Sequence, residues 1–129
     1  MDLLAKTLPF KLAGSTMTTI TIYHNPRCSK SRQTLALLQE RDVEIQVVEY
    51  LKTPPDAETI RQLANKLGLD PRDLIRDKEY RALSLAETKD PAELIQRMVA
   101  HPEIIQRPIV VNGDAARIGR PPELVLEIL

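Results

Sequence analysis

A single cysteine, Cys28, stands among the 129 residues, so no disulfide can form within the chain. No apolar run reaches the roughly 20 residues that a membrane helix needs. Neither sign of charge is in surplus, with 18 Lys plus Arg against 18 Asp plus Glu. The first absence excludes a disulfide-stapled secreted scaffold and makes a reducing cytosol the natural home. The second leaves no candidate spanning segment, and no membrane partner is expected. The third removes any bulk reason to expect nucleic acid, so an anion site in this chain has to be local. Metal-ligand spacing is lacking too: a site would need Cys28, His24 and the distant His101 with carboxylates, so no metal is expected.

What remains is a chain with 43% hydrophobic and 28% charged residues, which fits a globular class. The length suits one domain that buries roughly two-thirds of its unfolded surface. Residues 1–16 carry Leu3, Leu4, Leu8 and Phe10 with Lys6 and Lys11 interspersed. Asp2 stands where a signal peptide wants positive charge, and no continuous apolar stretch follows. This segment reads as a disordered N-terminal extension. Met17 directly precedes the first strand pattern, and residues 17–129 read as the folded domain.

Thr19-Ile-Thr-Ile-Tyr23 alternates and is β-branched, which predicts a strand. His24-Asn-Pro-Arg-Cys28 is a turn, since Asn-Pro breaks the strand. Ser29 to about Arg41 predicts a helix with Thr34, Leu35, Leu38 and Arg41 on one face, and Glu44 to Leu51 a second strand. Asp56 precedes a helix with Ile60, Leu63, Ala64 and Leu67 that Gly68 closes. Asp70-Pro-Arg-Asp opens a short turn ending near Arg76, and Asp90-Pro-Ala-Glu a helix ended by His101-Pro102. Ile109-Val-Val111, the Asn112-Gly113 turn and Ala115 to Ile118 predict a hairpin. Arg120-Pro-Pro-Glu starts a terminal helix carrying Leu124, Val125, Ile128 and Leu129. An early βαβ unit and a late hairpin imply a mixed sheet. The order is α/β and matches a thioredoxin-like mixed sheet flanked by helices, with a helical insertion before the C-terminal β-hairpin.

Cys28 falls at the start of the first helix, where unpaired N–H groups and the helix dipole favour negative charge. A thiolate there is stabilised, and the same N–H groups suit a tetrahedral oxyanion. His24, Arg27, Lys30 and Arg32 add cationic or protonatable groups within a few positions. A packed core thiol is the alternative, and the polar neighbours Arg27, Ser29 and Lys30 argue against it. His24 fits equally well as a turn histidine bonded to backbone or as a group tuning Cys28. In Cys28-Ser-Lys-Ser31 a serine stands where a dithiol motif has its second cysteine, so a redox cycle must borrow its resolving thiol.

Residues Ile20-Thr-Ile-Tyr-His-Asn-Pro-Arg-Cys-Ser-Lys-Ser-Arg32 resemble the active-site segment of the glutaredoxin-coupled arsenate reductases. Arg107-Pro-Ile-Val-Val111 and Arg117-Ile-Gly-Arg-Pro-Pro122 resemble two further segments of that family, in the same order. The likeness runs from about Ile20 to Leu129 and points to a branch of short relatives. It implies that Cys28 is the nucleophile, that His24 is the family's nearby histidine, and that Arg76, Arg107 and Arg120 are its arginines. Cys28, Ser29 at the helix start, Arg76, Arg107 and Arg120 are expected to bind the substrate. It implies reduction of arsenate to arsenite through a covalent Cys28 adduct, with glutathione as co-substrate, glutaredoxin as partner protein and no bound cofactor. It also implies a cis Arg107–Pro108 bond; a monomer in the cytoplasm is expected as well. Two rivals share the fold. A redox-responsive transcription regulator would carry a second cysteine at position 31. A glutathione-dependent thiol-transfer enzyme would need the thiolate but not three arginines.

Overall fold

The computed structural model describes residues 18–129, so the extension expected over residues 1–16 lies outside the described residues. Strands β1 (Thr19–His24), β2 (Glu44–Glu49), β3 (Ile109–Asn112) and β4 (Ala115–Ile118) form one sheet in the order β2-β1-β3-β4. β1 pairs parallel to β2, with Ile20 opposite Ile45 and His24 opposite Glu49. β3 runs antiparallel to both β1 and β4, so the sheet is mixed as expected. Helices α1 (Ser29–Gln39), α2 (Ala57–Leu67), α3 (Asp77–Ala82) and α4 (Pro91–Ala100) flank it. This is the thioredoxin-like arrangement with its helical insertion.

Alternation along the strands divides the interior into two cores. On one face Ile20, Ile22 and Val110 pack with Leu38 of α1 and with Val125, all fully buried. On the other, Ile109 and Ala116 pack with Ile60 and Leu63 of α2 and Leu94 and Met98 of α4. Each fully buried Leu, Ile or Val side chain contributes roughly 1.5–3 kcal/mol, so burial of Ile20, Ile22 and Leu38 on the first face clamps α1 against β1. His24 follows Ile20 and Ile22 in the two-residue period and therefore faces α1 as well.

The caps work as their chemistry dictates. Asp56 accepts from the Thr59 N–H at 2.8 Å, Asp90 accepts from the Ala92 N–H at 3.1 Å, and Gly68 ends α2 at φ 70°.

Several boundaries differ from expectation. α1 ends at Gln39, leaving Arg41 exposed, and its buried stripe begins one turn earlier, at Ser31. β2 ends at Glu49; Tyr50 lies just beyond it and is 1% exposed. The hairpin loop is Gly113-Asp114, with Gly113 at φ 61°, one position later than the Asn-Gly signal implied. Asn112 is instead the last residue of β3, and its Nδ2 donates to the Ile128 carbonyl at 2.6 Å. The terminal segment Pro122–Ile128 is a 3-10 helix, not an α-helix. Pro122 and Val125 are buried and Ile128 partly so, a spacing of three that matches the 3-10 period. Leu124 and Leu129, the other apolar residues of this segment, are among the exposed hydrophobic residues. Helix α3 was not foreseen, because none of its six residues is buried and no apolar stripe marks it.

Candidate active site

The turn between β1 and α1 is closed by short-range bonds that follow from Asn25-Pro26. The Cys28 N–H donates to the Asn25 carbonyl at 3.0 Å, and the Asn25 Oδ1 accepts from the Arg27 N–H at 3.0 Å. Arg32 reaches back from α1 to donate to the Pro26 carbonyl at 2.8 Å. Cys28 is thereby held as the N-cap of α1, with φ −94° and ψ 122°. Its thiol is partly exposed and free.

Ser31, at the position of an absent second cysteine, is completely buried. Its Oγ accepts from the Asn25 N–H at 3.0 Å and lies 2.6 Å from the His24 Nδ1. One hydroxyl thus fastens the turn and the histidine to the first turn of α1. Burial pushes the His24 imidazole below its ordinary value, with Arg32 acting in the same direction and Glu49 opposing. A neutral ring accepting the Ser31 proton at Nδ1 satisfies both observations. His24 is bonded to a side chain rather than to backbone, and Ser31 stands between it and Cys28. Nothing in the sequence beyond the spacing of seven signalled that pairing.

Burial raises the Cys28 thiol, but the groups around the sulfur outweigh it and bring the thiol below its usual value. They are the backbone N–H of Ser31, the Arg120 guanidinium, the backbone N–H of Lys30 and the Arg107 side chain. The Arg120 Nη2 donates to the Cys28 Sγ at 3.3 Å, and its Nε donates to the Arg107 carbonyl at 2.9 Å. Ser29 opens α1 with its side chain exposed; the backbone of the next two residues is what reaches the sulfur.

Arg76 and Arg107 are brought together by a short pairing outside the main sheet. Ile75 bridges Ile105, the Arg76 N–H donates to the Ile104 carbonyl, and the Gln106 N–H donates to the Leu74 carbonyl, both at 2.8 Å. Glu79 of α3 then joins the two guanidinium groups: the Arg76 Nε donates to its Oε1 at 3.0 Å and the Arg107 Nη2 to its Oε2 at 3.2 Å. Arg107 and Arg120 therefore act on the sulfur, whereas Arg76 joins the cluster through Glu79. The Tyr50 hydroxyl and the Arg107 Nε are buried without a hydrogen-bond partner among the described residues. The parallel register carries Tyr50 to the position beside Asn25, at the same end of the sheet as Cys28.

Pro108 is preceded by a cis bond, as the resemblance implied, and the Arg120–Pro121 bond is cis as well. Between them the Gly119 N–H donates to the Pro108 carbonyl at 3.0 Å. A side chain at 119 would clash with Thr34 and stand 2.9 Å from the Pro108 Cγ, so only glycine admits this approach. Ser31, Tyr50, Glu79 and Gly119 all escaped sequence reasoning.

The chain matches the ArsC family over residues 23–128. This chain belongs to the ArsC family. It is 56% identical over 114 residues to the uncharacterized protein YfgD of Escherichia coli K12, covering 85% of this chain and 96% of that one. It is 46% identical to the arsenate reductase of Haemophilus influenzae, covering 85% and 98%. The solved arsenate reductase from Vibrio cholerae superposes with a TM-score of 0.82 at 45% identity, over 88% of this chain and all of that one. Among the described residues no helix of this ArsC-family chain can cross a membrane, and no three His, Cys, Asp or Glu cluster as a metal site.

Proposed function

We propose that this ArsC-family domain reduces arsenate to arsenite with Cys28 as nucleophile and glutathione and glutaredoxin as the source of electrons. The observation that carries the reading is the Arg120 Nη2 at 3.3 Å from the Cys28 Sγ, at a helix start whose N–H groups face the same sulfur. The thiolate attacks arsenic(V), an As–S bond forms, and an oxygen leaves as water or hydroxide. Arg107 and Arg120, with Arg76 behind them, hold the remaining oxygens and the charge that builds in the transition state. Ser29 opens the helix turn against which the anion rests, and His24 positions that turn through Ser31.

Glutathione then replaces a second oxygen on arsenic. Glutaredoxin takes the glutathione sulfur off as a mixed disulfide, leaving the bonding electron pair on arsenic, which becomes arsenic(III). Water then replaces the Cys28 sulfur on arsenic and supplies its proton, so arsenite departs and Cys28 is regenerated. The chain has no second cysteine, which is why both outside thiols are required. The chemistry needs no metal, suits a reducing cytoplasm and can be carried out by a single copy of the domain.

The test is arsenate reduction by the purified protein with glutathione and glutaredoxin, beside Cys28→Ser. Turnover is expected in the parent and none in the variant. Equal arsenite release from both, or release independent of glutaredoxin, would remove the reading.

A further inference from the structure

We infer that Glu79 is the site's built-in counter-anion: its carboxylate holds Arg76 and Arg107 in the free protein, and an oxyanion arriving at Cys28 displaces it. The inference rests on the proposed oxyanion role of the arginines and adds the group that competes for them.

Three observations carry it. First, the carboxylate spans two residues instead of forking onto one, with Oε1 accepting from the Arg76 Nε at 3.0 Å and Oε2 from the Arg107 Nη2 at 3.2 Å. These are donors that a tetrahedral oxyanion would need. Second, Glu79 satisfies the site incompletely. Among the described residues the Arg107 Nε and the Tyr50 hydroxyl are buried without a hydrogen-bond partner, and Arg107 is one of the two residues that Glu79 holds. Burial pushes the Tyr50 phenol up despite nearby Arg107, so the hydroxyl keeps its proton and can donate. A planar carboxylate has two oxygens and both are committed, whereas a tetrahedral anion has further oxygens to offer these donors. Third, Glu79 is easy to release. It sits on the short helix α3, of which no side chain is buried, and its own side chain is 24% exposed. Partly exposed ion pairs hold weakly, so an anion with more oxygens and more charge wins the exchange.

Charge balance points the same way. With Glu79 withdrawn, three guanidinium groups outweigh the one thiolate, and a divalent oxyanion neutralises the remainder. With Glu79 in place a divalent anion would leave the pocket negative. Weak monovalent anions gain too little to displace the carboxylate. The device therefore favours doubly charged tetrahedral oxyanions.

The experiment uses inorganic phosphate, which has the required shape and charge and is not reduced. Its Kd is measured by calorimetry, and independently by protection of Cys28 from alkylation, for the parent, Glu79→Gln and Arg107→Ala. Glu79→Gln is expected to bind phosphate roughly fivefold more tightly, the scale of a partly exposed ion pair. Its Cys28 thiol should also ionise at lower pH, because a negative charge has left the arginine cluster. Adding phosphate to the parent should speed hydrogen exchange across residues 77–82, and should leave the Gln variant unchanged there. Glu79→Asp, whose shorter arm cannot span both guanidinium groups, should tighten binding to a lesser degree and stands in if the Gln variant folds poorly. Unchanged or weaker phosphate binding by both variants overturns the inference and makes Glu79 a support for the arginines. Arg107→Ala binding phosphate as the parent does would overturn the oxyanion reading itself, a separate outcome.

Discussion

At the scale of single residues, the balance at Cys28 is between burial, which disfavours the thiolate, and four donors or charges that favour it. The donors win and bring the folded thiol below its ordinary value; a free cysteine titrates near roughly 8.5. Alkylation rate against pH should show a midpoint below that figure, and Arg120→Ala should move it upward. Because the folded value is depressed, the thiolate's contribution to stability is complete above the unfolded value and disappears as pH falls through the folded one. The stability gap between the parent and Cys28→Ser should therefore widen on going from acid to alkaline pH, as read by chemical denaturation. The arginines should behave as oxyanion donors do. Arg107→Ala and Arg120→Ala are expected to reduce arsenate turnover roughly a hundredfold with little loss of thermal stability. Lysine at either position should restore only part, since an ammonium brings charge without the planar fork. Parent-like turnover in both Ala variants would place the anion elsewhere.

At the scale of elements, the site is an assembly of ends: the end of β1, the start of α1, the segment before β3 and the segment after β4. Gly119 is the point where two of these touch, with Thr34 of α1 and Pro108 closing over it. Gly119→Ala has to push α1 from the strand segment, an overpacking expected to cost about 1–3 kcal/mol. It should also separate Arg120 from Cys28, so loss of turnover should accompany the drop in Tm. A variant with parent-like Tm and turnover would mean that the contact opens freely. Ser31 links the same elements by polar means. Ser31→Ala leaves the Asn25 N–H and the His24 Nδ1 unpaired in a buried place, which is expected to cost about 1–3 kcal/mol in denaturation.

At the scale of the whole molecule, the sheet divides two cores, and the site sits at one edge of both. The α1-side core places Cys28 and Arg120; the insertion side places Arg76, Arg107 and Glu79. His24 couples this architecture to pH. Burial lowers its folded value below its unfolded value of about 6.5, so the neutral ring is the form that folding favours. Its contribution is present above the unfolded value and is lost as pH falls through the folded one. Global stability should decline on acidification below about pH 6.5, and His24→Gln should flatten that decline in denaturation curves. An unchanged slope would assign the acid sensitivity to the carboxylates instead.

Much of this fold was legible in the sequence because its signals are local. Alternation at Thr19–Tyr23, the caps Asp56 and Asp90, the αL glycine at 68 and the breaker His101-Pro102 each act within a few residues. So does the placing of Cys28 at a helix start, since a strand, a turn and a helix follow one another without interruption. The terminal 3-10 helix and α3 were not legible, because their form depends on which side chains the rest of the fold leaves room for. The same holds for the site's inner organisation. The Arg120 contact to Cys28 spans 92 positions and the Arg107 pair with Glu79 spans 28, and neither leaves a trace in local periodicity. Sequence alone determined which residues have the right chemistry: one thiol, a helix to lower its pKa, and arginines able to fork onto an oxyanion. Tertiary structure alone decided that Ser31 would join His24 to α1, that Gly119 would admit the close approach, and that Glu79 would occupy two of the arginines. Such pairings are set by long-range packing geometry, and the chemistry of neighbouring residues along the chain does not encode it.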